Sequence, residues 1–99
     1  MFAHHVYFTL QDGSPAERAR FLASCRKHLD GHDGLEVFEV GTLADVAAPA
    51  NVRDFHVGMV MIFRDRAAHD AYVDHPRHEK FLDENQAGWA EVRVFDFES

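Results

Sequence analysis

The amino-acid sequence predicts an α+β fold in which helices cover one face of a four-stranded antiparallel sheet. Two observations carry this prediction. Four segments have the apolar patterns of strands, and the segments between them have the periodicity and the caps of helices. Their order along the chain is strand, helix, strand, strand, helix, strand (βαββαβ), which is the split arrangement of the ferredoxin-like fold.

The first strand is predicted over residues 2–10, because apolar side chains recur at every second position. The face expected to pack on the helices carries Phe2, His4, Val6, Phe8 and Leu10. An imidazole is unusual among these apolar neighbours, since a buried polar group needs a hydrogen-bond partner. His4 is therefore a candidate for the wall of a pocket, and a purely structural hydrogen bond is the alternative.

The first helix is expected to begin at Pro15, because proline suits the first helical position. Ser14 would cap this helix, and Glu17 would complete a capping box. Two glycines close behind it in the sequence end it. His28 and His32 are expected to be solvated at its C-terminal end, where the helix dipole favours a cation.

The rest of the chain continues the same alternation of elements. It comprises a strand at 35–43, a long connection at 44–54, a strand at 55–63, helical pieces at 66–74 and 76–88, and a strand at 89–97. Pro76 breaks the second helix, because proline lacks the backbone donor that a helix needs. His75 would lie at the cap of the second piece, and Trp89 is expected to anchor the last strand.

The strand at 55–63 is apolar on both faces, which indicates that both faces need burial. One face carries Phe55, Val57, Met59, Met61 and Phe63. Val60 and Ile62 lie on the other face, which the helices leave bare. An exposed apolar patch of this kind marks an interface, so we expect a homodimer joined through the sheet face.

Composition sets further limits. A chain of 99 residues, 46% of them hydrophobic, is predicted to form a single domain over residues 1–99. With 10 Lys and Arg against 17 Asp and Glu, neither nucleic acid nor an anionic membrane is expected as a partner. The one cysteine, Cys25, excludes a disulfide within the chain. Since the sequence has no long apolar run and no leader pattern, we expect a cytoplasmic protein.

Four stretches together resemble the stress-responsive A/B barrel domain (Dabb) family of the dimeric alpha+beta barrel superfamily: HHVYFTLQDG, GLEVFEVG, FRDRAAHDAYVDHPRH and WAEVRVFDF. The resemblance implies a dimer that packs its two sheets into a barrel, with a small cavity between each sheet and its own helices. It leaves the function open. Several members have no assigned activity, plant polyketide cyclases of the family close a carbon-carbon ring, and other superfamily members are monooxygenases with or without haem.

The resemblance also implies catalytic roles for Tyr72 and His78, which match a Tyr and a His of the cyclases. His78 is the third residue of the helix that starts at Pro76, where the helix dipole would hold the imidazole neutral and ready to act as a general base. Tyr72 could donate a hydrogen bond to a developing enolate oxygen. The alternatives are a histidine bonded to a backbone carbonyl and an aromatic side chain at the edge of the core.

His4, Val57, Met59 and Phe81 are predicted to line the same pocket. The cyclases carry a second strand histidine at the position that matches Val57. In this chain the neighbouring His56 would instead point to the dimer side, because a shift of one residue in a strand reverses the face. One polar group of a cyclase site is therefore missing.

A metal or haem site is not favoured by the histidine spacing. His69, His75 and His78 lie on both sides of the helix break, and no carboxylate follows at a matching offset. We therefore expect no metal and no cofactor. Cys25 lies on the core face of the first helix, and nothing near it in sequence would lower its pKa.

Three classes of function remain. The first is a cofactor-independent acid/base catalyst, similar to a polyketide cyclase, acting on a small carbonyl compound. The second is a non-catalytic, stress-associated dimer that binds a small apolar or carbonyl ligand, and the third is a monooxygenase of the wider superfamily. This architecture hosts all three. The convergence of His4, Tyr72 and His78 favours chemistry, whereas Val57 argues against a cyclase, so the sequence leaves open whether the chain is an enzyme.

Overall fold

The order of elements predicted from the sequence is the order found in the computed structural model, which describes residues 1–99. The elements are β1 (Phe2–Leu10), α1 (Pro15–Leu29), β2 (Leu35–Thr42), β3 (Val57–Phe63), α2 (Arg66–Val73), α3 (Pro76–Asn85), a 3-10 turn (Gln86–Gly88) and β4 (Trp89–Glu98). No helix is long and apolar enough to span a bilayer.

The four strands form one sheet in the order β2-β3-β1-β4, and all three pairs are antiparallel. The inner strand β1 pairs with both β3 and β4, and its residue His4 lies opposite Met61 of β3 and Asp96 of β4. The predicted α+β ferredoxin-like class is therefore confirmed. Because side chains alternate along a strand, the even-numbered residues of β1 point to the helices.

The core lies between this face of the sheet and the helices. Its fully buried side chains include Phe8, Phe21, Cys25, Leu29, Val57, Met61 and Phe63. Phe8 and Phe21 meet edge to face, with ring centroids 4.8 Å apart. Burial raises the pKa of Cys25 to about 12, so this thiol remains protonated and unreactive.

Two predicted caps form at the helix starts. The Ser14 hydroxyl accepts a hydrogen bond from the backbone N–H of Glu17 at 3.3 Å. The reciprocal half of the capping box is absent, because the Glu17 carboxylate binds Arg20 and the N–H of Ser14 donates to Asp12. His75 caps α3, as expected, since its Nδ1 accepts from the backbone N–H of Arg77 at 3.0 Å.

The break at Pro76 turns the chain between α2 and α3, and Arg77 then ties this corner to the end of α1. Its guanidinium donates to the carbonyl oxygens of Lys27 and Asp30, at 2.8 and 2.9 Å. These two carbonyl groups lie at the C-terminal end of α1, where the last carbonyls of a helix have no hydrogen-bond donor within the helix. The corner between α2 and α3 therefore covers the C-terminal end of α1.

This cover corrects the expectation that His28 and His32 are solvated, because both are buried. His28 donates from Nε2 to the Glu84 carboxylate at 2.8 Å. His32 donates from Nε2 to the carbonyl oxygen of His28, also at 2.8 Å, and its ring meets Tyr72 at a right angle with centroids 5.0 Å apart. Helix periodicity could not predict this, because the groups that cover these residues come from a distant part of the chain.

The start of β3 corrects a second expectation. The regular strand begins at Val57, and the chain bends at His56, so alternation does not extend to Phe55. Phe55 packs against Tyr7 on the outer face of the sheet, with centroids 4.9 Å apart. His56 does not face the free sheet surface, since its Nδ1 accepts a hydrogen bond from the backbone N–H of Leu10 at 2.9 Å.

The outer face of the sheet carries no helix. Phe95 and Phe97 are exposed by 57% and 59% on this face. A hollow of about 430 Å³ lies beside them, between the sheet and the connection that precedes β3. It is lined by Tyr7, Val52, Phe55, Arg93 and Phe95.

Candidate functional site

A cavity of about 150 Å³ lies on the helix side of the sheet. It is lined by His4, Val6, Phe8, Met59, Tyr72, His78, Phe81, Leu82, Trp89, Val92 and Val94. Five of the six residues singled out from the sequence therefore share one cavity. Val57 does not line it and is completely buried in the core. Val92 and Val94 are exposed, so the cavity opens to solvent along β4.

Tyr72 and His78 meet at the wall of this cavity, one from each side of the break at Pro76. Their rings stand edge to face, with centroids 4.8 Å apart. Tyr72 lies near the end of α2, and His78 is the third residue of α3. The break is what brings them together, because the chain must change direction for both side chains to reach the sheet.

His78 is held in its neutral form. Burial lowers the pKa of this imidazole, and the nearby His4, His32 and His69 lower it further, whereas the backbone of Val73 opposes the shift. Its Nδ1 is shielded from water and makes no hydrogen bond of good geometry within the chain. A neutral imidazole can accept a proton near pH 7, so the shielded ring has the charge state that a general base needs.

Tyr72 is almost completely buried. Burial raises the pKa of its phenol well above the ordinary value of 10, because the phenolate would lose its hydration. The hydroxyl therefore keeps its proton at all physiological pH values and can only act as a hydrogen-bond partner, which is the role required beside a developing oxyanion.

His4 reaches the cavity from the centre of the sheet. Its Nδ1 lies 2.6 Å from Oδ1 of Asp96, the residue opposite it on β4. Burial lowers the pKa of His4, and the Asp96 carboxylate opposes that effect. His4 therefore lines the cavity and at the same time makes a hydrogen bond within the sheet.

The sequence did not point to the part of the wall that β4 supplies. Trp89 is the first residue of β4, as expected of an anchor, and its indole packs on Phe8 with centroids 5.1 Å apart. It also lines the cavity, and its Nε1 is buried without a partner. Periodicity could have shown that Val92 and Val94 share the helix-side face of their strand, although not that this edge stays uncovered.

The three histidines first considered as metal ligands do not come together. His75 is turned to the cap of α3, and the ligand atoms of His69, His75 and His78 form no group close enough to share an ion. His69 lies instead against Phe2, with stacked rings 4.1 Å apart.

The chain matches the family described as Stress responsive A/B Barrel Domain (Dabb) over residues 2–99. A crystal structure of a Dabb family protein from Mesorhizobium loti, with a ferredoxin-like fold, is 31% identical and has a TM-score of 0.82. The alignment covers 99% of this chain and 95% of that one.

Two further solved structures share the fold at lower identity. A dimeric ferredoxin-like protein of unknown function from Thermobifida fusca is 19% identical, with a TM-score of 0.82 and coverage of 99% and 90%. A protein from Bacteroides thetaiotaomicron described as a putative antibiotic biosynthesis monooxygenase is 14% identical, with a TM-score of 0.73 and coverage of 99% and 88%. No curated protein matches the chain. The match over residues 2–99 and the Mesorhizobium structure together show that this chain belongs to the Dabb family.

Proposed function

We propose that this protein binds a small apolar carbonyl compound in the helix-side cavity and catalyses proton transfer at the carbon next to the carbonyl, without a cofactor. The observation that carries the proposal is the contact of Tyr72 with His78 on the cavity wall. Both side chains have shifted pKa values, that of His78 lowered and that of Tyr72 raised by burial. Titratable groups with shifted pKa values that share one cavity are typical of a functional site.

The chemistry requires two groups with opposite roles. His78, neutral through burial, takes the proton from the α-carbon, and the carbon-hydrogen electron pair moves to form an enolate. Tyr72, protonated through burial, donates a hydrogen bond to the enolate oxygen. General-base catalysis contributes about 10²–10⁴-fold and an oxyanion donor about 10²–10³-fold.

An enolate held in this cavity can attack a second carbonyl of the same molecule. A carbon-carbon bond then forms, and His78 returns its proton to the new alkoxide, so the reaction is an isomerisation that needs no external reagent. This is the cyclase-like form of the proposal. A volume of about 150 Å³ has room for a benzene-sized group, so we expect one ring or a short chain to enter and the remainder to extend past Val92 and Val94.

The second candidate is a non-catalytic dimer that binds a ligand in the same cavity. The observation in its favour is Val57, an apolar and completely buried residue where a cyclase-like site would carry a histidine. The monooxygenase alternative rests on a fold shared at 14% identity, and such a likeness supports only the fold.

We also propose that the protein is a homodimer joined through the outer face of the sheet, as structurally similar proteins described as dimeric support. The exposed Phe95 and Phe97 on that face support the same proposal. We further propose a cytoplasmic location, because the only cysteine is a buried free thiol and the chain forms no disulfide of the kind found in oxidising compartments.

The test is hydrogen-deuterium exchange at the benzylic carbon of phenylacetone, followed by proton NMR in buffered D2O. Its ring suits the cavity and its carbonyl activates the adjacent carbon. We expect the wild-type protein to accelerate exchange, His78→Gln to lower the protein-dependent rate about 100-fold or more, and Tyr72→Phe to lower it about 10²-fold.

His5→Gln is the matched control, since His5 lies on the same strand as His4 but on the outer face; it should keep the wild-type rate. Circular dichroism checks that each variant is folded. Exchange that is no faster with wild-type protein than with His78→Gln contradicts the catalytic proposal. Chemical-shift changes confined to the cavity without exchange would then support the ligand-binding dimer.

A further inference from the structure

Two histidines and an aspartate from three separate elements meet at the edge of the helix-side cavity. His4 comes from β1, His69 from α2 and Asp96 from β4. One ligand atom from each lies within 4.8 Å of the other two. The proposed proton transfer gives neither His69 nor Asp96 a direct role, although His69 packs against Phe2 and Phe63 and helps to lower the pKa of His78.

The group combines shielded imidazoles with an accessible carboxylate. The side chains of His4 and His69 are exposed by 12% and 13%, and that of Asp96 by 36%. His4 is the only basic side chain that pairs with Asp96. An ion can therefore reach the group from solvent along the carboxylate and displace only the contact between Asp96 and His4.

The spacing is close to what a metal ion needs. Zinc binds His nitrogen and carboxylate oxygen at about 2.0–2.2 Å, so neighbouring ligand atoms of one ion lie roughly 3.0–3.6 Å apart. The 2.6 Å contact between His4 and Asp96 requires a shared proton, and an ion would replace that proton and widen the contact. The ligand atoms already lie within 4.8 Å of one another, so a shift of about 1 Å in the side chains brings them to these spacings.

The surroundings of His69 already orient its ring. Nδ1 lies 3.1 Å from Oδ1 of Asp70, which leaves Nε2 as the nitrogen free to ligate. Phe2 stacks on the same ring, and Phe63 meets it edge to face. A carboxylate that holds the second nitrogen of a ligating histidine is the usual support of a metal site.

The geometry points to a binding site for one divalent first-row transition-metal cation, with zinc as the first candidate, formed by His4, His69 and Asp96. Imidazole nitrogens favour zinc, iron, cobalt and nickel over magnesium and calcium. Three protein ligands leave coordination positions open to water or to a ligand. Because His4 also lines the helix-side cavity, the open coordination positions of the metal would lie beside that cavity. The site does not depend on Tyr72 or His78.

The test is titration of the chelator-treated, tag-free protein with Co²⁺, followed by the visible absorption of the bound ion and by calorimetry. We expect one ion per chain, displaced by Zn²⁺. His69→Gln and Asp96→Asn should each weaken Co²⁺ binding at least about tenfold. Zn²⁺ should raise the melting temperature of the wild-type protein, because an ion that binds only the folded state stabilises it.

His5→Gln and Asp33→Asn serve as controls, since they remove a histidine and an exposed aspartate elsewhere in the chain; both should bind Co²⁺ as the wild type does. Asp70→Asn keeps all three ligands and should weaken binding by less than the ligand variants. Fewer than one ion per chain, unchanged affinity in His69→Gln and Asp96→Asn, or an equal loss in His5→Gln would overturn the site. The phenylacetone assay on metal-free protein separates this result from the proposed catalysis.

Discussion

The two faces of the sheet both contain a hollow, but the hollows differ in size and in chemistry. The one on the helix side has a volume of about 150 Å³, and Tyr72, His78 and His4 line it. The one on the outer face has a volume of about 430 Å³ and is lined by apolar side chains and Arg93. Arg93 is already paired with Asp54 at 2.7 Å.

This difference shows that volume alone does not locate a site of chemistry. The larger hollow holds no group that could move a proton near pH 7, because a guanidinium stays protonated. Its exposed aromatic walls suit association with another apolar surface. The smaller cavity holds neutral imidazoles and a protonated phenol, which suit proton transfer. The covered face is thus the candidate for chemistry, and the bare face is the candidate for assembly.

The largest expected effect is on the free energy of unfolding, and it results from a substitution in the core on the covered face of the sheet. Phe21 is completely buried against Phe8, so Phe21→Ala should lower the free energy of unfolding by about 3–5 kcal/mol. Urea denaturation measures this. Phe97→Ala, made on the exposed side of the sheet in a monomeric background, should cost less than about 1 kcal/mol. Equal losses would contradict the assignment of the core to one face.

The second effect is on the affinity of the proposed dimer, and it results from a substitution on the bare face of the sheet. A charge at Phe95 would have to be buried without a partner in the dimer, so Phe95→Asp should weaken dimerisation by about 2 kcal/mol or more, which is about 30-fold in Kd. Light scattering across a dilution series measures the change. Val73→Asp, an exposed valine on α2, should leave the dimer unchanged. A Phe95→Asp variant that stays as dimeric as the wild type would refute the proposed interface.

The smallest expected effect is on the pH dependence of stability, and it concerns His32, which is buried on the covered side of the sheet. Burial lowers the pKa of His32 below 6.5; the nearby Arg77 and His75 lower it further, while the His28 carbonyl and Asp30 oppose the shift. In the unfolded chain this histidine takes up a proton near pH 6.5, whereas the folded chain does not. The unfolded state therefore binds more protons below that pH, and stability falls as the pH is lowered through 6.5.

His32→Gln and His32→Phe both remove this titration while differing in packing. Both variants should therefore lose less stability than the wild type between pH 7.5 and pH 5.5, whatever their stability at neutral pH. Thermal unfolding across this range provides the measurement. Curves for both variants that run parallel to that of the wild type would show that His32 does not contribute.

Local patterns accounted for most of the fold. The alternation from Phe2 to Leu10 determined β1 and its inward face, and Pro15 and Pro76 fixed two helix starts. Each of these signals depends on a few neighbouring residues and on backbone sterics. The prediction failed where the decisive neighbour is distant in sequence, as for His32 under Tyr72 and for Phe55 against Tyr7.

The same limit applies to the candidate site. Tyr72 and His78 could be named from the sequence because the stretch around Pro76 resembles that of the family's cyclases, and both side chains line one cavity with His4. The cluster of His4, His69 and Asp96 could not be named, since no local spacing relates its members. The pairing of His4 with Asp96 depends on the register between β1 and β4, and a strand's own sequence does not encode its partner.

The sequence by itself determined the element order, the two-faced sheet and the break at Pro76, because these follow from residue types a few positions apart. Only the tertiary structure decided which histidines are buried, which side chains line the same cavity and where along β4 this cavity opens to solvent. Burial, hydrogen bonding and charge depend on neighbours brought together by folding, and these neighbours set the protonation states on which any function of the cavity rests.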